Sequence, residues 1–279
     1  MPSKLSEPDD RTLRQALAGA VEAARAAGRL MRRNLPATKA VHEASPHDIK
    51  LELDLRCQRL IEQRLRRCLP GLPILGEEGV SGPASAPVRW VVDPIDGTVN
   101  FAHSVPHACV CVALQARRPA KATGDTAGSD TGAWETMVGV IYEPFCDELY
   151  TAVRGGPARL NGRPIRVSPR ARLQEAMVTF GFSKTRNNLE KSLPYFAWLC
   201  RRARKVRIMG SAGLGLAYVA CGRFDAYVER KVRLWDIAAG GLIVECAGGR
   251  FWSRKVGGFE AYRMVASNGA LDGQLPRPR

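Results

Sequence analysis

Long apolar runs, aromatic side chains and acidic residues are all scarce in this sequence of 279 residues. Aromatic residues make up 7% of it, and 27 Asp and Glu stand against 42 Lys and Arg. No apolar run approaches the ~20 residues of a membrane span. The first thirty residues contain acids such as Glu7 and Glu22 where a signal peptide has its apolar core. We therefore expect a soluble, cytoplasmic protein that does not bind a membrane.

Paired CxxC units are also missing, although the sequence has eight cysteines. Most of them lie in apolar stretches, which favours buried, reduced thiols over disulfides. Cys109 and Cys111 are two apart in an apolar run, so they point to the same face of a predicted strand. A soft-metal pair there is the less favoured interpretation, because no second pair with zinc-ligand spacing follows. His103 and His107 also have a zinc-like spacing, but Pro106 makes a helix between them doubtful and favours loop histidines.

The net charge of +15 favours anionic partners, which include phosphorylated substrates and polyanions. Basic clusters lie at 64–67, 201–207 and 230–233. These clusters keep a nucleic-acid-binding function open as an alternative. The scarcity of aromatic residues and the lack of a nucleic-acid-binding motif do not favour it.

Helical periodicity dominates the beginning of the chain. Apolar residues recur at three- and four-residue steps over 10–35 and 49–68, which predicts two long helices. Short β-branched runs follow and predict strands. These predicted strands are 89–92, 107–116, 137–143, 148–153 and 164–167. The segment 117–134 is rich in Gly, Thr and Asp, and is predicted to be a long hairpin loop.

The second half of the chain alternates strand-like and helical pieces, as in a layered α/β protein. Its predicted strands are 177–180, 205–209, 224–228, 249–252 and 264–266, and its predicted helices are 210–222 and 235–247. We therefore predict an α/β (α+β) protein with two parts. An N-terminal half at 1–153 has two long helices and an antiparallel sheet, and a C-terminal α/β half follows at 154–279.

Two aspartates end a predicted buried strand in the run WVVDPIDGT at 90–98. Pro94 restricts Asp93 to an extended conformation, so Asp93 and Asp96 can both turn inward at the strand's end. The carbonyl of Ile95 lies between them and supplies a third oxygen. Close carboxylates repel each other unless a proton or a cation lies between them, and ligation by oxygen alone favours Mg²⁺ or another hard divalent cation.

Gly97 and Thr98 follow at a predicted turn into a helix, where backbone N–H groups can cradle phosphate oxygens. The alternative for the same run is an Asp-Pro turn with an aspartate that caps a helix. Glu77 and Asp236 each place one more acid at the start of a loop or helix. The combination of these acids favours a metal site. No G-x-S-x-G sequence, Walker loop or evident Cys–His pair is present, which favours direct attack by water.

These acids belong to a longer series of short motifs. Asp54, GEE at 76–78, DPIDGTVNF at 93–101 and WDIAAG at 235–240 occur in this order, together with GPARLNG at 156–162, GSA at 210–212 and ACGRFD at 220–225. This order resembles the inositol monophosphatase family from the first helix to about Asn268. The resemblance implies a five-layered αβαβα sandwich of the inositol monophosphatase and fructose-1,6-bisphosphatase type, and a Mg²⁺ site with two or three ions.

The resemblance also implies which residues hold the metals. Glu77, Asp93 and the Ile95 carbonyl would hold the first ion. Asp93, Asp96 and Asp236 would hold the second ion, and Glu77 would contribute to a weaker third one.

For catalysis, the resemblance implies that Thr98 and Asp54 orient and deprotonate the attacking water, with Glu77 as the third catalytic residue. The residues that it implies for substrate binding are Asp96, Gly97, Thr98, Ser211, Ala212, Glu229 and Asp236. Glu229 has a second interpretation, as a surface partner of Arg230 or Lys231.

The sequence departs from the family pattern at three positions. Glu43 stands where many relatives have a Lys near the third metal, Phe182 where some have a substrate-contacting Ser, and Gly215 where Asp or Asn is common. The resemblance implies a homodimer that hydrolyses a small phosphorylated polyol, with inositol 1-phosphate as the first choice. Histidinol phosphate, fructose 1,6-bisphosphate and 3′-phosphoadenosine 5′-phosphate remain alternatives, because related enzymes share this metal site.

Overall fold

The computed structural model describes residues 8–37, 41–45, 48–83, 85–117, 134–182 and 186–278. Six α-helices and two short 3₁₀ helices lie within these residues. The α-helices are α1 (Asp10–Asn34), α2 (Glu52–Cys68), α3 (Thr98–Ala102), α4 (Arg186–Arg202), α5 (Ala212–Ala220) and α6 (Leu234–Cys246), and the 3₁₀ helices span Leu173–Glu175 and Asp272–Gln274.

The larger sheet has eight strands in the order β10-β9-β8-β7-β6-β5-β3-β4. They are β3 (Ile74–Gly76), β4 (Gly79–Ser81), β5 (Val88–Asp96), β6 (Cys109–Arg117), β7 (Trp134–Glu143), β8 (Glu148–Val153), β9 (Arg159–Leu160) and β10 (Arg163–Pro164). β3 runs parallel to β5, and the other neighbouring pairs in this sheet are antiparallel. β9 and β10 come from beyond residue 153, so the larger sheet draws on both predicted halves of the chain.

The smaller sheet has five strands in the order β12-β11-β13-β15-β14. They are β11 (Met177–Gly181), β12 (Lys205–Arg207), β13 (Ala226–Arg233), β14 (Arg250–Lys255) and β15 (Ala261–Ser267). A separate two-stranded sheet pairs β1 (Val41–Ser45) with β2 (Asp48–Leu51).

Side chains of β5 show how the layers stack, because successive residues of a strand point to opposite faces. Trp90 and Val92 pack in a core with α1 and α2 on one face of the larger sheet. Val91 packs on the other face in a second core, which contains α5, α6 and Met264 of the smaller sheet. In a third core, Leu199 of α4 packs against the outer face of the smaller sheet. The order is helix, sheet, helix, sheet, helix, which confirms the predicted five-layered αβαβα fold.

Alanines explain the close fit of α1 to the sheet. Asp9 caps the helix by accepting a 2.8 Å hydrogen bond from the amide of Thr12. Ala16, Ala20 and Ala23 recur at helical spacing and are fully buried, so the helix presents a stripe without long side chains to its neighbours. In the described part of the chain, no helix is long and apolar enough to cross a membrane.

Some predicted bounds differ from the structure. Residues 49–51 lie in β2, and the second helix begins at Glu52. The predicted strand at 164–167 is wrong beyond Pro164, because the amides of Ile165 and Val167 bond to the carbonyls of Ala158 and Ala247 in place of a strand ladder. Helix α4 was not predicted at all. β6 and β7 pair as the predicted hairpin, and residues 118–133 between them lie outside the described residues.

Candidate active site

Sheet register places Glu77 beside Asp93. β3 and β5 run parallel with Gly76 opposite Val92. The residues that follow these two, Glu77 and Asp93, therefore lie at the same edge of the sheet. The amide of Glu77 bonds to the Val92 carbonyl at 3.2 Å, which holds this loop against β5. Asp93 is buried to 1% exposure. The strand pairing therefore brings together two of the predicted metal ligands.

A tight turn after Asp93 shapes the next part of the site. The amide of Ile95 donates a 3.0 Å hydrogen bond to Asp93 Oδ1, and the Thr98 hydroxyl donates one of 2.8 Å to the Ile95 carbonyl. Gly97 has φ 94°, and a Cβ there would lie 2.9 Å from the carbonyl oxygen of His107. Only glycine adopts this positive φ without strain and also leaves room for the His107 carbonyl. The turn thus holds the Thr98 hydroxyl beside the carbonyl that was predicted to bind metal.

Asp54 and Asp236 occupy equivalent positions, each as the third residue of a helix. Oδ2 of Asp54 accepts a 2.6 Å hydrogen bond from the amide of Leu51, and Oδ2 of Asp236 accepts one of 2.9 Å from the amide of Arg233. One oxygen of each carboxylate is thus tied to the backbone at the helix start, which fixes the orientation of the side chain. Asp54 is only 2% exposed and acts electrostatically on Glu77.

Asp96 is held from the opposite side by the start of α5. Its Oδ2 accepts hydrogen bonds from Ser211 Oγ at 2.5 Å and from the Gly213 amide at 2.7 Å, and its Oδ1 accepts one from the Ala212 amide at 3.0 Å. The Cys109 thiol approaches Oδ2 to 3.4 Å. Charge on Asp96 is therefore stabilised by the amides at a helix start.

A cavity of about 460 Å³ opens onto these acids. The predicted site residues that line it are Glu77, Asp93, Ile95, Asp96, Gly97, Thr98 and Asp236. Ser211 and Ala212 pack behind Asp96 and are not among the residues that line the cavity. Their roles in substrate binding stay predictions.

Burial raises the pKa values of all four acids, and the charges of neighbouring acids add to the effect for Glu77, Asp93 and Asp236. The pKa of Glu77 is raised well above its usual range by burial and then by the charge of Asp236. Burial and the charge of Glu77 raise the pKa of Asp93 in the same way. Burial followed by the charge of Asp96 raises the pKa of Asp236 to about 7. The pKa of Asp96 is raised by burial, although its hydrogen bonds from α5 oppose the shift.

The carboxyl groups of Glu77 and Asp236 lie close enough to Asp93 for their charges to raise its pKa. Carboxylates this close repel each other unless a proton or a cation lies between them. A divalent cation can replace that proton and relieve the repulsion, and oxygen atoms alone suit a hard cation such as Mg²⁺. The residues present therefore fit a magnesium site.

Glu229 lies near this cluster but outside the lining of the cavity. Its carboxylate accepts a hydrogen bond from the Tyr227 hydroxyl and approaches the Cα of Gly181 so closely that a Cβ there would clash with it. Burial raises the pKa of Glu229 to about 8, and the charges of Asp236 and Asp96 add to the effect. The partner of this carboxylate is a tyrosine and not Arg230, so the structure does not favour a surface ion pair.

Two of the three departures from the family pattern can be placed in the fold. Phe182 packs its ring against Phe180 and Phe196, with centroids 5.8 and 6.5 Å apart. Gly215 lies in α5, where a Cβ would come within 3.0 Å of the Tyr227 ring. The side chain of Glu43 lies outside the described residues.

Some residues that line the cavity were not predicted as site residues. Arg233, Trp235 and Phe259 form part of its rim, and Phe259 is 61% exposed. Arg233 bonds through its guanidinium to the Phe259 carbonyl, which ties the turn between β14 and β15 to the start of α6. Two sequence features could have predicted these residues as part of the site. Phe259 is an aromatic residue that follows two glycines, and Arg233 lies close to Asp236 in the sequence.

A larger cavity, of about 630 Å³, lies away from these acids between β7, α6 and β14. Most of its charged side chains pair with one another, and Arg89 bonds to Gln115. Arg154 contacts Glu135 and Glu245, and Lys255 contacts Glu260. The acid-lined cavity is therefore the candidate active site.

Oxygen ligands for a hard cation at one cavity of an αβαβα sandwich fit a phosphatase, that is, a phosphoric monoester hydrolase. A model of the inositol monophosphatase family matches residues 12–123 and 131–276. The chain belongs to this family, as the sequence motifs predicted.

Relatives of known name agree with this assignment. The chain is 39% identical over 248 residues to a Nus factor SuhB of Xylella fastidiosa, covering 88% of this chain and 83% of that protein. It is also 39% identical over 228 residues to an inositol-1-monophosphatase of Rhizobium meliloti, covering 80% and 79%. The crystal structure of the extragenic suppressor protein suhB from Bartonella henselae superposes with a TM-score of 0.79 at 31% identity, covering 92% of this chain and 95% of that one.

Proposed function

We propose that the chain hydrolyses a small phosphorylated polyol, inositol 1-phosphate in the first instance, with water as the nucleophile and two or three Mg²⁺ ions as cofactors. One observation carries the proposal: Glu77, Asp93, Asp96 and Asp236 meet at one cavity with raised pKa values. Such a cluster gains from binding divalent cations. The family is magnesium-dependent, which supports the choice of ion.

In this proposal, Glu77, Asp93 and the carbonyl of Ile95 hold one ion, and Asp93, Asp96 and Asp236 hold a second. Glu77 also contributes to a weaker third ion. Bound Mg²⁺ supplies a lowered pKa for water and charge stabilisation at the phosphoryl and leaving-group oxygens. Phosphate monoester hydrolysis has one of the highest uncatalysed barriers, so both effects are needed.

The protein's own groups would orient the reaction. The Thr98 hydroxyl is held at the Ile95 carbonyl, where it can position the attacking water. Asp54 is buried and lies within electrostatic reach of Glu77, which suits a group that takes a proton from that water. Gly97 and Thr98 line the same cavity, and their amides would bind phosphate oxygens. Ser211, Ala212 and Glu229 lie outside the lining of the cavity, so their contact with the leaving group stays a prediction of the family resemblance.

A panel of monoesters tests this function and names the substrate. Phosphate release is measured for inositol 1-phosphate, histidinol phosphate, fructose 1,6-bisphosphate and 3′-phosphoadenosine 5′-phosphate, each with Mg²⁺ and with EDTA. We expect magnesium-dependent turnover that is fastest on inositol 1-phosphate. Faster turnover of another ester would keep the chemistry and change the substrate, and no turnover of any ester would contradict the proposal.

Nucleic-acid binding is the second candidate, supported by the net charge of +15. Binding to mixed RNA that weakens with salt and survives Asp93→Asn would favour it.

We further propose a cytoplasmic homodimer. Free thiols at all eight cysteines support a reducing compartment. Sedimentation would test the oligomeric state.

A further inference from the structure

Two thiols and a carboxylate lie together behind the proposed magnesium site. Cys109 Sγ is 3.8 Å from Cys111 Sγ and 3.4 Å from Asp96 Oδ2. One donor atom of each residue lies within 4.8 Å of the other two, and all three residues are buried. The Ser211 hydroxyl is a further oxygen, 3.8 Å from Cys109 Sγ.

Two of these separations, from Cys109 Sγ to Cys111 Sγ and from Cys109 Sγ to Asp96 Oδ2, match those between ligands of a tetrahedral thiolate site. With metal–sulfur bonds of about 2.3 Å and metal–oxygen bonds of about 2.0 Å, tetrahedral angles place two sulfurs about 3.8 Å apart and a sulfur and an oxygen about 3.5 Å apart. We propose that Asp96, Cys109 and Cys111 form a binding site for a soft divalent cation such as Zn²⁺, which shares Asp96 with a proposed magnesium site and differs from it in its two thiolate ligands. The Ser211 hydroxyl is the candidate for a fourth ligand.

The fold prepares this site in two ways. Cys109 and Cys111 are alternate residues of β6, so their side chains point to the same face of the sheet. Helix α5 then reaches the cluster because residue 213 is glycine: a Cβ there would lie 2.5 Å from Cys111 Sγ, 2.9 Å from Cys109 Sγ and 3.0 Å from Asp96 Oδ2. The sequence lacked a second cysteine pair, but the fold supplies Asp96 as a third ligand.

Charge and protons balance in the binding step. The cation binds two thiols, and both of their protons pass to solvent. The complex of one divalent cation, two thiolates and one carboxylate keeps one net negative charge. That charge lies against the amides of Ala212 and Gly213 at the start of α5, which already orient Asp96 from outside the coordination sphere.

Sharing of Asp96 has a functional consequence, which rests on the proposed magnesium-dependent hydrolysis. A soft cation that engages Asp96 Oδ2 competes with the magnesium ion for the same carboxylate. Thiolate ligands strongly prefer Zn²⁺ over Mg²⁺, so low concentrations of the soft ion suffice. Zn²⁺ thus inhibits hydrolysis from behind the active site.

Cd²⁺ is a direct probe, since its bonds to thiolates absorb in the ultraviolet. The full chain is titrated with Cd²⁺ alone, and absorbance and proton release are recorded. We expect one ion per chain, two protons released, and displacement of Cd²⁺ by Zn²⁺. Cys109→Ala/Cys111→Ala should lose this signal, whereas the matched control Cys146→Ser/Cys200→Ser, which alters two exposed thiols, should retain it.

The proposal would be overturned if Cd²⁺ produced no thiolate absorbance in the wild type, or if this absorbance were undiminished in Cys109→Ala/Cys111→Ala. If the double variant does not fold, Cys111→Ser takes its place, because it preserves more of the buried volume. This variant should weaken Cd²⁺ binding at least about tenfold. Inhibition is then measured against each variant's own rate, and the Zn²⁺ concentration for half-inhibition should rise at least tenfold in Cys111→Ser. The absorbance test stands even if the protein hydrolyses no phosphate ester.

Discussion

The amide of Gly213 donates a 2.7 Å hydrogen bond to Oδ2 of Asp96, which lies 117 positions earlier in the chain. This bond joins the end of β5 to the start of α5, and so connects the larger sheet to the helical layer between the sheets. The carboxylate at the centre of the proposed metal site is therefore oriented by backbone from the other half of the sequence.

Gly213→Ala should destabilise the protein. The new Cβ would lie within 3.0 Å of Cys109, Cys111 and Asp96, and relieving such overpacking costs about 1–3 kcal/mol. Urea denaturation measures the loss. Gly273→Ala is the matched control, because nothing lies within 4 Å of a Cβ at that position, and it should change stability by less than about 0.5 kcal/mol. Equal effects of the two changes would refute the close contact.

Asp93→Asn should remove magnesium-dependent turnover. Asp93 is proposed to hold two ions, so the loss should exceed the roughly 10–100-fold typical of groups that only support a metal ligand. Calorimetric titration should show weaker Mg²⁺ binding together with the lost rate. The exposed Asp10, at the start of α1, provides the control Asp10→Asn, which should behave as wild type. A wild-type rate in Asp93→Asn would contradict the site.

Thr98→Ala should slow hydrolysis while Mg²⁺ binding is largely kept. The lost hydroxyl is the group held at the Ile95 carbonyl, and removal of such a positioned group lowers rates by about 10²–10⁴-fold. Thr98→Ser restores the hydroxyl and should recover most of the rate. If serine were as slow as alanine, the hydroxyl would not be the group that matters.

Glu229→Gln should change how stability depends on pH. The pKa of Glu229 is raised to about 8 by burial, whereas it is near 4.5 in the unfolded chain. Between these values the folded state binds the extra proton, so folding stability falls as pH rises from about 5 to 8. Glutamine cannot ionise, so the folding stability of the variant should decrease less over this pH range. Melting temperatures of the metal-free protein at pH 5 and pH 8 measure it, and identical slopes in both proteins would refute the raised pKa.

Sequence patterns predicted most of the long elements because these elements are strongly periodic, whereas the five-layered arrangement was implied by the family resemblance. The alanine stripe of α1 and the apolar run of β5 bury their faces, and burial is what periodicity reports. α4 escaped prediction because Pro194 lies inside it, and an interior proline ordinarily breaks a helix. The strand predicted beyond Pro164 failed for a tertiary reason, since the amide of Val167 bonds to the carbonyl of Ala247 at the end of α6.

In the site, the acids at the ends of strands and at the starts of helices could be predicted one by one, because their residue type and position restrict their possible roles. Their convergence could not be derived from spacing, since it depends on the register of β3 against β5, which pairs Gly76 with Val92. The approach of Phe259 and Arg233 depends on the β14–β15 turn in the same way. Asp96 and Cys109 meet only because β5 and β6 are adjacent.

The most direct test of the central claim is the rate of phosphate release from inositol 1-phosphate as Mg²⁺ is varied, removed with EDTA and restored. The account predicts a rate that rises with Mg²⁺ to saturation, disappears with EDTA and returns when Mg²⁺ is added back. Hydrolysis that continues undiminished in EDTA would contradict a reaction carried by metal ions at Glu77, Asp93, Asp96 and Asp236.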